Sequence, residues 1–155
     1  MLIYHGSSVP VKKPDLSKTS KYTKDFGDGF YCTALKQQAY RWALRKGNGR
    51  GIITTFDFAD ITTKSLKVLQ FTETNKTWLD FVADNRCGVK HGYDIVIGPM
   101  ADDTIYNYVQ MYIDGSISAD DFMVLAKFRY PTHQIAFCTE KALKYLEYIG
   151  YEEVI

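Results

Sequence analysis

Residues 93 to 98, YDIVIG, are apolar throughout apart from Asp94, and Pro99 closes the run. A half-buried strand alternates polar with apolar side chains; this run does not, so it reads as a strand covered on both faces. Around it the chain offers short strands at LIYH, GFYCT, IITTFDF and LKVLQF, with HQIAFCT as the last, and a turn near ADITTK. Helical spacing is equally plain. Leu35, Ala39, Trp42 and Ala43 form one stripe, capped by Thr33 and ended by Gly47. TWLDFVADNR puts Leu79, Val82 and Arg86 on one side. ADDTIYNYVQMYIDG opens on acids and stops at Gly115, and SADDFMVLAKF carries Ser118 and Asp121 in capping-box spacing. EKALKYLEYIG, behind a Thr139 cap, reads as a final helix with Leu143, Leu146 and Ile149 or Gly150 inward. Strands and helices mix without regular βαβ alternation. The expectation is an α+β fold, one domain over residues 1–155.

Several functional classes drop out early. No apolar run approaches the roughly 20 residues of a membrane span, and MLIYHGSS lacks a basic stretch followed by an apolar core. Cys32, Cys87 and Cys138 are odd in number with no short-range pairing, which suits a reducing cytoplasm better than a disulfide framework. His5, His91 and His133 form no zinc motif, so no metal is expected. Net charge is +1, but residues 1 to 50 hold ten Lys or Arg against three Asp. That half suits a phosphate-bearing ligand or a nucleic acid, although a solvated lysine-rich loop at 12–24 explains it equally well.

Two stretches carry candidate chemistry. In YHGS a histidine ends a strand beside Gly6, where no side chain blocks a ligand from the backbone. In DFGDGFYCT, Gly27 and Gly29 run into Phe30 and Tyr31, so a tight turn precedes a ring able to stack on a planar group. Taken singly, a turn histidine and a core tyrosine explain both.

As an ordered set, YHGS, then GDGFYCT, then a helix with QAYRWA resembles the nicotinamide pocket of the ADP-ribosyltransferase superfamily. More narrowly, DFGDGFYCT…QAYRWA…NR…YDIVIGPMADD…QIAFCTEKAL is similar to an uncharacterised bacterial domain family grouped with it, from residue 3 to about 147. The resemblance implies a split β-sheet core with flanking helices and NAD as substrate. It also implies transfer of ADP-ribose to a protein or nucleic-acid acceptor, in the manner of toxins held by an antitoxin. His5 would bind a ribose hydroxyl and Gly6 the nicotinamide carboxamide, with Ser7 beside them. Tyr31, delivered by Gly29 and Phe30, would stack on the nicotinamide, and Trp42 or Tyr40 would close its other face. Trp42 also lies on the apolar stripe, so core packing explains it as well.

The superfamily places a carboxylate at the start of its last core strand; here that position is Gln134. A glutamine accepts a hydroxyl's hydrogen bond but brings no charge and is no general base. Three readings stay open: a nearby acid (Glu140, Asp102 or Asp103) supplies charge, the acceptor needs no base, or the site binds NAD-like ligands without chemistry. The corresponding alternatives to a transferase are an NAD glycohydrolase and a degenerate binding module. Arg86, on an inward stripe, needs an anion, met by pyrophosphate or by one of those aspartates.

Overall fold

A computed structural model describes residues 1–18, 24–61, 64–127 and 131–155. The middles of the 12–24 loop and of the expected turn near ADITTK, and Phe128 at the end of SADDFMVLAKF, lie outside them. Among the described residues there are five α-helices and two sheets, an α+β arrangement. One sheet has the order β1 (Leu2–Ser7), β3 (Gly51–Phe58), β7 (Leu146–Val154), all antiparallel. The other runs β2 (Phe30–Cys32), β6 (Gln134–Phe137), β5 (Ile95–Gly98), β4 (Val68–Gln70), with only β4 and β5 parallel. A bridge between Tyr4 and Thr33 joins β1 to β2.

Strand β5 is covered on both faces, as its composition requires. Ile95 packs with Phe56, Phe58 and Phe137 between the sheets, while Val96, pointing the other way, packs with Phe26, Trp78 and Phe122 beneath the helices. Those helices are α2 (Lys76–Arg86), α3 (Asp103–Ile113) and α4 (Ala119–Ala126). The capping box of Ser118 and Asp121 forms with both of its hydrogen bonds. Strand β6 alternates likewise: Ile135 and Phe137 face the inter-sheet core and Ala136 faces the helices.

Helix α1 (Lys36–Lys46) packs on β1 and β3 through Ala39 and Ala43, both fully buried. Its first expected contact, Leu35, is exposed, because Leu35 is the N-cap. Thr33 does not cap the helix; it is buried against Tyr4, and its Oγ1 takes the Leu35 N–H at 3.0 Å. Buried Gln38 instead pins α1 to the approach of β6: Nε2 donates to the His133 carbonyl at 2.5 Å, and Oε1 accepts the His133 N–H at 3.1 Å.

The carboxyl end departs from expectation. Helix α5 is only Glu140–Leu143, and the chain continues as β7, so HQIAFCT is not the last strand. Leu143, Leu146 and Ile149 mimic a helical stripe, but Tyr145, Tyr148, Ile149, Tyr151 and Val154 favour a pleated strand. Leu146 and Tyr148 face inward while Glu147 and Ile149 are exposed, a period of two. A register shift between Thr55 and Phe56 leaves Ile149 as the extra residue of a bulge.

Candidate functional site

The glycine-rich turn sets the geometry. Gly27 has φ +79, in the left-handed region that a side chain rarely tolerates. The turn folds back on Tyr31, whose hydroxyl donates to the Gly27 carbonyl at 2.6 Å and accepts the Phe26 N–H at 3.1 Å. Gly29 lies against β6, where a Cβ would meet the Phe137 carbonyl at 2.9 Å. Tyr31 is thus held by its tip, and its ring both packs against the core beneath the helices and lines a cleft wall. Burial pushes its phenol well above the ordinary value, so it stays neutral.

That ring stands between two adjoining clefts. The larger, about 490 Å³, is lined by His5, Tyr31 and five lysines: Lys12, Lys13, Lys18, Lys24 and Lys46. The smaller, about 230 Å³, is lined by Tyr31, Trp42, Met100, Tyr106, Asp25 and Gln134, with Lys24 and Lys46 at the shared wall. The strands of His5, Tyr31 and Gln134 are therefore neighbours, but His5 and Gln134 open onto different chambers. Lys24 crosses between them, its ammonium 4.7 Å from the Tyr31 ring centroid. Desolvation, helped by nearby Lys46, lowers it to about 8.

His5 is neutral. Burial first, and then the Lys46 charge, lower its pKa to about 3. Its Nδ1 lies 2.7 Å from the Tyr31 carbonyl, an acceptor only, so Nδ1 carries the proton and Nε2 is left as an acceptor. Phe30 stacks on the ring at 4.3 Å. Ser7 is buried with its hydroxyl given to the Val9 carbonyl. The space that Gly6 leaves open is filled by α1, where a Cβ would meet the Ala39 carbonyl at 2.2 Å.

Trp42 takes part in none of the three apolar clusters, which separates it from core packing, and it borders the smaller cleft. Tyr40 packs beside Ala39 and Ala43, its hydroxyl on the Ile155 carbonyl at 2.9 Å, so of the two aromatics Trp42 is the one at the cleft.

The acids do not gather where the sequence suggested. Glu140 is exposed past the far end of β6 from Gln134, at least about 10 Å along the strand. Asp102 caps α3, accepting the Thr104 and Ile105 N–H groups, and Asp103 forms an exposed ion pair with Arg45. Arg86 meets neither. Its partner is Asp25, at 2.9 Å with side chains only 3% and 10% exposed. Asp25 also accepts the Ala101 N–H at 2.7 Å and one N–H of Gln134 at 3.2 Å. It is the acid next to Gln134, and the sequence reading missed it. The signal was present: an inward Arg86 requires an anion, and Asp25 opens the turn singled out for other reasons.

Gln134 is buried at the cleft floor. Its Nε2 donates to Asp25 and, at 3.3 Å, to the Pro99 carbonyl, and no described protein group bonds Oε1. The site thus offers two uncharged acceptors, His5 Nε2 and Gln134 Oε1, two rings, and a lysine-lined chamber. Among the described residues no His, Cys, Asp or Glu cluster is arranged to hold a metal, and no helix is long and apolar enough to cross a membrane.

Over residues 1–148 the chain matches the model of the family described as protein of unknown function DUF3990, and it belongs to that family. Among curated proteins and solved structures, none matches it.

Proposed function

We propose that this protein is an NAD-dependent mono-ADP-ribosyltransferase with a split-sheet fold of that superfamily. The observation that carries the reading is the convergence of four residues, from β1, β2, α1 and β6, on a pair of clefts that share one aromatic wall. The smaller chamber suits a planar ring between Tyr31 and Trp42. The lysines of the larger one suit a pyrophosphate. His5 Nε2 and Gln134 Oε1 are acceptors, which fits ribose hydroxyls as donors.

In the reaction the bond between ribose C1′ and the nicotinamide nitrogen breaks, and nicotinamide leaves with the electron pair. The acceptor's lone pair closes on C1′, and the acceptor gives up its proton. Positive charge develops on the sugar, so a neutral acceptor that binds the ribose more tightly as that charge grows lowers the barrier. The only carboxylate bordering the smaller cleft among the described residues is Asp25, already committed to Arg86. Proton removal then falls to the acceptor or to solvent, which favours an acceptor that is nucleophilic without help. The same observation supports a second reading, a module that holds NAD without turning it over.

The test is incubation of the protein with NAD and measurement of free nicotinamide. Release that falls at least several-fold in His5→Ala and Gln134→Ala, each losing one hydrogen bond of about 1 kcal/mol, supports turnover at this site; ADP-ribose attached to a macromolecule then supports the transferase, and free ADP-ribose a glycohydrolase. Binding without release supports the module, and no binding removes both.

A further inference from the structure

We infer that Asp25 is a positioning residue: its carboxylate orients the Gln134 amide so that Oε1, not the NH₂ group, is presented to the cleft beside Tyr31 and Trp42. The inference rests on the proposed site for its consequence in turnover; its structural half is independent of NAD.

A glutamine amide is nearly symmetric in shape, and a half-turn exchanges its donor and acceptor ends. At Gln134 two acceptors, Asp25 Oδ2 and the Pro99 carbonyl, receive the Nε2 protons. A flip would set Oε1 against both oxygens, losing two hydrogen bonds and opposing like partial charges. Asp25 cannot turn away to relieve this. Oδ1 holds Arg86 Nη2, Oδ2 holds the Ala101 N–H, and its backbone carbonyl takes Asn85 Nδ2 at 3.1 Å. Arg86 is fixed in turn, with Nη1 on the Tyr106 carbonyl at 3.0 Å and the Tyr106 ring 3.8 Å from the guanidinium.

Stability alone is a weak reason for such a pair, because a buried ion pair is often replaced by apolar residues with no loss. This one also leaves Arg86 Nε buried without a partner. The arrangement makes sense if a fixed acceptor behind Gln134 is what the site requires. Arg86 then holds the Asp25 carboxylate in place as that acceptor. An oriented Oε1 selects a ligand group that donates, a hydroxyl or an N–H, and disfavours a carboxylate or phosphate in the smaller chamber.

The experiment follows the side-chain amide of Gln134 by ¹H–¹⁵N spectroscopy of the whole chain, assigned by its disappearance in Gln134→Ala. Its protons should exchange with solvent at least about tenfold more slowly than those of exposed Gln37 and Gln70. The double variant Asp25→Ala/Arg86→Met removes the acceptor without stranding a charge, and the protection should be lost. Fast exchange in the wild type, which needs no variant to fold, overturns the proposal, as does equal protection in the double variant. Where NAD is turned over, the double variant should lose kcat several-fold with KM little changed; a kcat within error of wild type overturns the positioning role. No nicotinamide release and no NAD binding by the wild type, with the protection pattern intact, removes the NAD reading and supports the positioning.

Discussion

Gly6→Ala separates two reasons for a glycine after His5. If the residue is bare so that a ligand can reach its backbone, an alanine should cost binding and leave stability alone. The structure gives a different cause. The new Cβ would lie 2.2 Å from the Ala39 carbonyl oxygen, 2.8 Å from the Ala43 nitrogen and 2.8 Å from Trp42 Cβ. Two of these are helix backbone atoms, which cannot swing aside as a side chain does, so α1 must lift from β1. Overpacking of this kind costs about 3 kcal/mol, the upper end of the usual range. For a chain of this length that is a fall of roughly 6–12 °C in Tm. Trp78 is fully buried, whereas Trp42 borders the cleft, so fluorescence quenching by iodide reports mainly on Trp42. Urea unfolding should show the stability loss, and quenching should rise as α1 shifts. A variant within about 0.5 kcal/mol of wild type, with unchanged quenching, would refute the packing argument and return Gly6 to ligand access.

Protonation of His5 gives a pH dependence of definite sign. The unfolded imidazole titrates at 6.5 and the folded one at about 3, so between these values the unfolded state holds the extra proton. Stability should fall by about 1.4 kcal/mol per pH unit as pH drops below 6.5; desolvated His133 adds in the same direction. Urea midpoints in His5→Gln should show a shallower slope over that window, and an unchanged slope would mean that His5 charges freely in the fold. Tyr31→Phe tests the turn apart from the ring. Loss of the hydroxyl strands the Gly27 carbonyl and the Phe26 N–H and should cost about 1–3 kcal/mol. Stacking survives in the phenylalanine, so NAD affinity by titration should change little, and a large loss would place the hydroxyl in contact with the ligand.

What was legible in the sequence follows from the range of the interactions involved. The cover on both faces of β5 could be read from residues 95 to 98 because alternation, or its lack, is a property of adjacent residues. His5 and Tyr31 stand out locally, each beside glycines, whereas Gln134 is reached only through an ordered resemblance, and only the fold brings their three strands side by side. Strand β7 was misread because Leu143, Leu146 and Ile149 satisfy a helical spacing, while the competing signal, pairing with β3, lies some ninety residues back in the chain. Asp25 was passed over for a related reason. Its partners, Arg86, Ala101 and Gln134, lie 61, 76 and 109 residues away, and no window of the sequence contains two of the four together with the turn that aims them. Yet the demand for it was local: an arginine on the inward stripe of α2 cannot be buried without an anion. Asp102 and Asp103, the aspartates the sequence offers for that anion, already have a reason to stand at a helix start in the helix dipole. Asp25, at the head of the glycine turn, is among the acids that no helix terminus explains. Setting aside the acids that a helix terminus accounts for narrows the choice without completing it; the fold completes it by aiming the glycine turn at α2, which joins Arg86 to Asp25 and, through Asp25, sets the orientation of Gln134.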